Sequence, residues 1–237
     1  MHFDCASRTH VGLKRKINED SILVRTEEGL WAVADGMGGH EAGEVASAAV
    51  TEALAHVPIR LSLDELVYSC VDAVRQTNRQ LITFGRANGA NRTVGTTVVG
   101  IAIAGGEFRC FWAGDSRAYQ VRGNEILRLS RDHSLVQDLV DAGMLRPDEA
   151  EGHENSNIVT RAVGVAEEVK LDVVGGEVDP GDQFLLASDG LTRVVPDDEI
   201  VDVLSRAPPE QAADKLLEMV LARGAPDNVS IIIVKAS

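Results

Sequence analysis

The chain has 237 residues, 44% of them hydrophobic, which suits one ordinary domain with a sizeable core and excludes a staple-dependent miniprotein. Lys and Arg number 23 against 37 Asp and Glu, a net charge of −14, which argues against broad contact with nucleic acid or an anionic membrane surface. Cys5, Cys70 and Cys110 lack CxxC spacing and read as free thiols of a reducing compartment. No leader-like apolar stretch follows Met1, and no apolar run approaches the ~18 residues of a membrane span. A cytoplasmic, non-inserted protein is therefore expected.

Ser21 to Arg25 and Gly29 to Ala34 read as short strands. Val45, Ala46, Ala49, Val50, Ala53, Leu54 and Val57 then recur with the helical period until Pro58. Ser62 and Glu65 form a capping-box pattern at the head of a second helix carrying Leu66, Cys70, Val74 and Leu81. Thr96 to Ala104 is a β-branched run, and Gly105-Gly106 signals a tight turn into the alternating Phe108, Cys110 and Trp112. Arg117 to Arg122 and Glu125 to Leu129 flank Gly123-Asn124 as another hairpin. Connections this short leave no room for crossover helices, so antiparallel pairing is favoured.

Leu135 to Val140 is a short helical stripe, and the polar stretch from Asp148 to Asn157 reads as a surface flap, drawn broadly as 144–160. Val169 to Val174 and Gln183 to Ala187 return to strand, Asp197 to Leu204 and Glu210 to Arg223 are helical, and Ser230 to Val234 is a last strand. Helices towards both chain ends, with strands between and around them, predict two packed sheets covered by helices, in a single domain over 1–237.

Acidic residues recur at strand ends: Asn18-Glu19-Asp20, Asp35-Gly36, Asp189-Gly190 and Asp227-Asn228. Any one of them is adequately explained as a helix cap, an Asx turn or a solvated end. Several converging would repel one another unless a cation joined them. The donors are hard oxygens, with neither a Cys cluster nor HExxH, so magnesium or manganese suits them and zinc does not. Two ions ~4 Å apart could share one carboxylate and a water acting as nucleophile. Arg15, five residues before Asp20, is either a solvated basic residue or a two-pronged grip on phosphate oxygens. The glycines of Asp35-Gly36-Met37-Gly38-Gly39-His40 match neither a phosphate loop nor a dinucleotide fingerprint, but they let a backbone carbonyl face a metal. His40 is a candidate site-lining residue.

Arg15 through Asp20, Asp35 through His40, Gly114-Asp115-Ser116-Arg117, Ser188-Asp189-Gly190 and Asp227-Asn228 follow the order found in the bacterial metal-dependent PP2C-type protein phosphatases, the PPM family, which the chain resembles from Arg8 to Val234. The resemblance implies an α+β fold, an α/β/β/α sandwich of two largely antiparallel sheets flanked by helices. It also implies hydrolysis of phosphoserine and phosphothreonine in proteins by a metal-activated bridging water. Asp35 then resembles the carboxylate bridging two Mn2+ or Mg2+ ions, with the Gly36 carbonyl beside it. Asp189 and Asp227 resemble ligands of one ion, Glu19 and Asp20 of the other, and Asp115 the aspartate of a weaker third. Arg15 resembles the phosphate-binding arginine. Eukaryotic relatives carry a histidine where this chain has Met37, and His40 does not take its place.

The expected partners are phosphorylated proteins and a cognate Ser/Thr kinase, with the phosphatase a monomer. The segment Arg8 to Asp20 is similar to phosphatases associated with type VI secretion, with housekeeping signalling an equal alternative. Two further readings are a small-molecule phosphohydrolase on the same metal site and a non-catalytic regulatory binding protein. Relative kcat/KM on phosphopeptides and small phosphoesters separates the first, and metal-dependent turnover the second.

Overall fold

The computed structural model describes residues 1–38, 42–58, 61–87, 94–150 and 152–237. One sheet runs in the order β1 (Phe3–His10), β11 (Val229–Ala236), β10 (Gln183–Ala187), β7 (Arg117–Arg122) and β8 (Glu125–Arg128). The other runs β2 (Asp20–Arg25), β3 (Leu30–Met37), β5 (Val98–Ala104), β6 (Glu107–Ala113) and β9 (Asp172–Glu177), with β4 (Gly95–Thr96) paired to β3. All the strand pairings among the described residues are antiparallel. Helices α1 (Ala42–Ala55) and α2 (Leu63–Ala87) pack on the second sheet. Helices α5 (Asp189–Thr192), α6 (Asp197–Arg206) and α7 (Pro209–Ala222) pack on the first, while α3 (Leu135–Asp141) and α4 (Pro147–Ala150) lie in the β8–β9 connection.

Alternation along the strands divides the apolar side chains among three layers. Leu30, Ala32 and Ala34 of β3 face α1 and α2, whereas Trp31 and Val33 face the other sheet. Leu185 and Ala187 of β10 face α5–α7, whereas Phe184 and Leu186 enter the layer between the sheets. The result is the expected α/β/β/α sandwich. Phe111, which interrupts the polar side of β6, is buried on the helix-facing side against Gly100, where a side chain would collide with its ring.

Local signals place the elements well. The Ser62 amide donates to Glu65 Oε2 at 3.0 Å, closing the capping box, and Gly105 and Gly106 both have positive φ in the β5–β6 turn. Four boundaries differ from the sequence reading. The first strand, β1, is unforeseen and pairs with β11 along its whole length. Its helix-facing side chains are Asp4, Ala6, Arg8 and His10, so the apolar alternation is weak. Strand β3 continues through Asp35 and Gly36 to Met37, because β4 supplies a partner there. Thr97 separates β4 from β5, and its amide donates to the Asp35 carbonyl at 2.8 Å. Finally, β9 begins at Asp172, since Val169 and Leu171 are buried before the strand starts. Among the described residues no helix is long and apolar enough to cross a membrane. Cys70 and Cys110 are buried free thiols, and Cys5 is half-buried.

Candidate metal and phosphate site

The alternation that buries Trp31 and Val33 between the sheets carries Asp35 to the same face one step further along β3. Residues at one end of other strands share that inter-sheet parity: Asp20 preceding Ile22, Ser188 following Leu186, Ser230 preceding Ile232 and Thr97 preceding Val99. The inter-sheet layer therefore turns from apolar to polar at this end. Asp20 and Asp35 are direct partners in the β2–β3 register. A cleft of about 560 Å³ opens there, lined among others by Arg15, Glu19, Asp35, Gly36, Asp115, Asp189, Arg193 and Asp227.

Mutual repulsion among these carboxylates is pronounced. Burial, then Asp20, Asp189, Asp115 and Asp227, pushes the Asp35 carboxyl well above the ordinary range. Burial raises Asp20 to about 6, against hydrogen bonds from Ser188 and Ser230 that favour its ionised form. Burial and then Asp189 raise Asp115 to about 6; Asp189 and Glu19 are also raised, each chiefly by burial. Asp35 lies within hydrogen-bonding reach of both Asp20 and Asp189, an arrangement of acids that requires a shared proton or a cation. Asp20 Oδ1 is buried without a hydrogen-bond partner. An orphaned carboxylate oxygen among hard-oxygen donors fits a divalent cation such as manganese or magnesium.

Among the described residues no three acid, imidazole or thiol side chains stand as a preformed ligand shell. Two arginines instead hold three of the carboxylates. Arg15 Nη2 lies 2.6 Å from Asp227 Oδ2. Arg193 Nε lies 2.9 Å from Asp189 Oδ2, and its Nη2 lies 2.9 Å from Asp115 Oδ2. Asp20 does not line the open cleft; it sits behind it, with Ser188 Oγ donating to Oδ2 at 2.8 Å. Arg15 lies at the rim of the cleft, about half exposed. His40 lies outside the described residues.

The backbone around Asp35 is close-packed. A Cβ on Gly36 would run into the carbonyl oxygens of Gly43 and Glu19, and one on Gly43 into the Glu19 carboxylate. Asn228 pins the loop before β2: its Oδ1 accepts the Glu19 amide at 2.8 Å, and its Nδ2 donates to the carbonyls of Val11 and Ile17 at 2.8 and 3.0 Å. His133 is buried under the Gly114–Asp115 turn, accepting the Gly114 amide on Nδ1 at 3.1 Å while Nε2 faces Asp172 Oδ2 at 3.1 Å. Arg193 and His133 escaped the sequence reading. The one available signal for Arg193 was its spacing of four residues from Asp189 near a helix end.

The model of the protein phosphatase 2C family matches residues 4–229, and the chain belongs to that family. It is 37% identical over 228 residues to the serine/threonine protein phosphatase PstP of Mycobacterium tuberculosis, covering 96% of this chain and 44% of PstP, so it spans less than half of that relative. Among solved structures it is similar to PppA, described as a key regulatory component of T6SS in Pseudomonas aeruginosa, with a TM-score of 0.93 and 41% identity over 100% of this chain and 99% of that one. It is also similar to the catalytic domain of PstP in complex with two manganese ions, with a TM-score of 0.89 and 36% identity over 98% and 97% of the two chains.

Proposed function

We propose that this protein is a manganese- or magnesium-dependent phosphatase of phosphoserine and phosphothreonine in proteins, acting as one domain over 1–237 with 144–160 as its flap. The observation that carries this reading is the convergence of Asp20, Asp35, Asp115, Asp189 and Asp227 at one end of the inter-sheet layer, with Asp20 Oδ1 lacking a hydrogen-bond partner. Asp35 and the Gly36 carbonyl, with Asp189 and Asp227 for one ion and Glu19 and Asp20 for the other, would hold two ions, and Asp115 would contribute to a weaker third. Bound there, the ions supply Lewis acidity towards the phosphoryl oxygens and lower the pKa of the attacking water.

The chain's own groups bind and orient the substrate. Arg15 Nη2 lies 2.6 Å from Asp227 Oδ2 at the rim; with Asp227 engaged by an ion, its guanidinium would be free to grip two non-bridging phosphate oxygens. Its position at the rim lets it take the phosphate as the peptide arrives. Water oxygen adds to phosphorus, the bond from phosphorus to the Ser or Thr oxygen breaks, and that oxygen leaves with a proton, giving alcohol and inorganic phosphate. Ser188 and the backbone of β3 hold Asp20 and Asp35 in place while charge shifts.

The cellular setting we propose is the cytoplasm, with a monomeric phosphatase opposing a Ser/Thr kinase; the likeness to PppA favours control of type VI secretion. Phosphate release from a phosphothreonine peptide by metal-stripped protein, titrated with Mn2+ and Mg2+, tests the reading. Saturable turnover that vanishes in Asp35→Asn supports it. Ion binding without turnover on the peptide, accompanied by turnover on a small phosphoester, would transfer it to the small-molecule reading.

A further inference from the structure

Arg193 follows the short helix α5, and its guanidinium joins two parts of the molecule. On one side stand Asp189 Oδ2 and Asp115 Oδ2, each 2.9 Å away. On the other stands the Ser156–Asn157 turn: Nη2 donates to the Ser156 carbonyl at 3.1 Å, and Nη1 donates to Asn157 Oδ1. The backbone anchors of this flap lie at its ends, where the Leu145 amide donates to the Leu139 carbonyl at 3.2 Å and the Leu135 amide to the Ile158 carbonyl at 2.9 Å. Between them the described residues are largely exposed, and Met144, just before the first anchor, is 74% accessible.

Arg193 also stands between two cavities. The cleft of about 560 Å³ described above and a second cavity of about 380 Å³ share Asp115, Asp189 and Arg193 in their walls. The second is lined further by Arg117, Asp132, Val136 and Val140.

We propose that Arg193 is a latch that fastens the flap to the acidic floor of the cleft, and that its guanidinium serves as the built-in cation of the Asp115–Asp189 pair. A divalent ion between those two carboxylates and the latched arginine exclude one another, because both need the same oxygens. Arg193 is thus a positioning residue: it acts through the flap and through Asp115, setting how much of a substrate's flanking chain the cleft admits. The ion half of this inference rests on the proposed metal site; the latch half rests on the contacts alone.

The test compares wild type, Arg193→Ala and Asn157→Ala, each verified as folded. In metal-stripped protein, cleavage after Glu149 and Glu154 by a glutamate-specific protease reports flap opening without any turnover. Loss of charge-assisted hydrogen bonds should raise that rate about tenfold in Arg193→Ala, with a smaller rise in Asn157→Ala. Calorimetric Mn2+ titration should give one additional bound ion in Arg193→Ala and the wild-type number in Asn157→Ala. Equal cleavage rates in folded wild type and Arg193→Ala overturn the latch, and an unchanged ion number overturns the built-in cation. If Arg193→Ala fails to fold, Asn157→Ala decides the latch by the same cleavage rate, and Arg193→Gln decides the ion number. Failure of the phosphatase reading would instead appear as absent turnover with these cleavage differences intact.

Discussion

Ser188 Oγ donates a 2.8 Å hydrogen bond to Oδ2 of Asp20, joining the end of β10 in one sheet to the start of β2 in the other. The same oxygen accepts the Ser230 amide at 2.9 Å, so one hydroxyl links two strands of the first sheet to a carboxylate of the second. Ser188→Ala removes this bond from Asp20 Oδ2, while Oδ1 has no hydrogen-bond partner to begin with. We expect a stability loss of about 1.5–3 kcal/mol, as for a hydrogen bond to a charged group. Manganese affinity should fall about tenfold, as when an outer partner of a ligand is removed. Urea unfolding and calorimetric metal titration check the two effects.

The raised carboxylates fix a direction for pH dependence. A group whose folded pKa lies above its unfolded value stabilises the protein at pH below the unfolded value and loses that contribution as pH rises through the folded one. Asp20 and Asp115, at about 6 in the folded protein, begin this loss above pH ~4, and it is complete once the pH has passed through 6. His133, lowered by burial, acts in the opposite sense as pH falls below ~6.5. With more carboxylates raised than histidines lowered, metal-free protein should melt several degrees higher at pH 5 than at pH 7. Saturating manganese should reverse the order, because ions and protons compete for the same oxygens. Melting curves at the two pH values, with and without metal, decide it.

Asn228 satisfies three backbone groups of the loop that carries Arg15 and Glu19. Asn228→Ala leaves those groups unpaired, and a loss of about 3 kcal/mol follows from roughly 1 kcal/mol for each hydrogen bond. Asn228→Asp keeps an acceptor for the Glu19 amide but turns the donor towards Val11 and Ile17 into a second acceptor facing two carbonyls. It should therefore be no better tolerated than alanine. In whatever fraction stays folded, KM for a phosphopeptide should rise through misplacement of Arg15. Thermal melts and steady-state kinetics give both quantities.

Gly36→Ala tests the close packing beside Asp35. Its methyl group would overlap the carbonyl oxygens of Gly43 and Glu19, which are backbone atoms and cannot swing aside. A destabilisation of about 3 kcal/mol is expected from overpacking of this kind. Metal-dependent turnover should fall even at temperatures where the protein remains folded. Gly181→Ala is a useful control, since its Cβ position is open and only its positive φ of 98° is strained.

Much of the framework was legible in the order of residues. The α1 stripe from Ala46 to Leu54 (though not Val45, which is exposed), the Ser62–Glu65 box, the Gly105-Gly106 and Gly123-Asn124 turns and the terminal apolar strand all depend on neighbours a few positions apart. Strand β1 was not legible, because its partner is β11 at the other end of the chain and its helix-facing residues, Ala6 apart, are polar. Asp35 was read as following a strand, whereas pairing with β4 carries the strand past it. Local pattern cannot report a partner that arrives some 60 residues later.

The site divides in the same way. The acidic residues, their places at strand ends, Arg15 and the hard-oxygen character of the donor set are properties of the sequence alone. Their convergence belongs to the tertiary structure, because the antiparallel registers of two sheets and the shared inter-sheet parity bring Asp20, Asp35, Ser188 and Ser230 to one end of the sandwich. Arg193 belongs there too: a guanidinium acquires a role only when Asp115, Asp189 and the Ser156–Asn157 turn come within its reach. Helix and turn preferences are short-range energies written in adjacent residues, whereas charge convergence and burial depend on which distant segments share a low-dielectric space, and only the folded chain decides that.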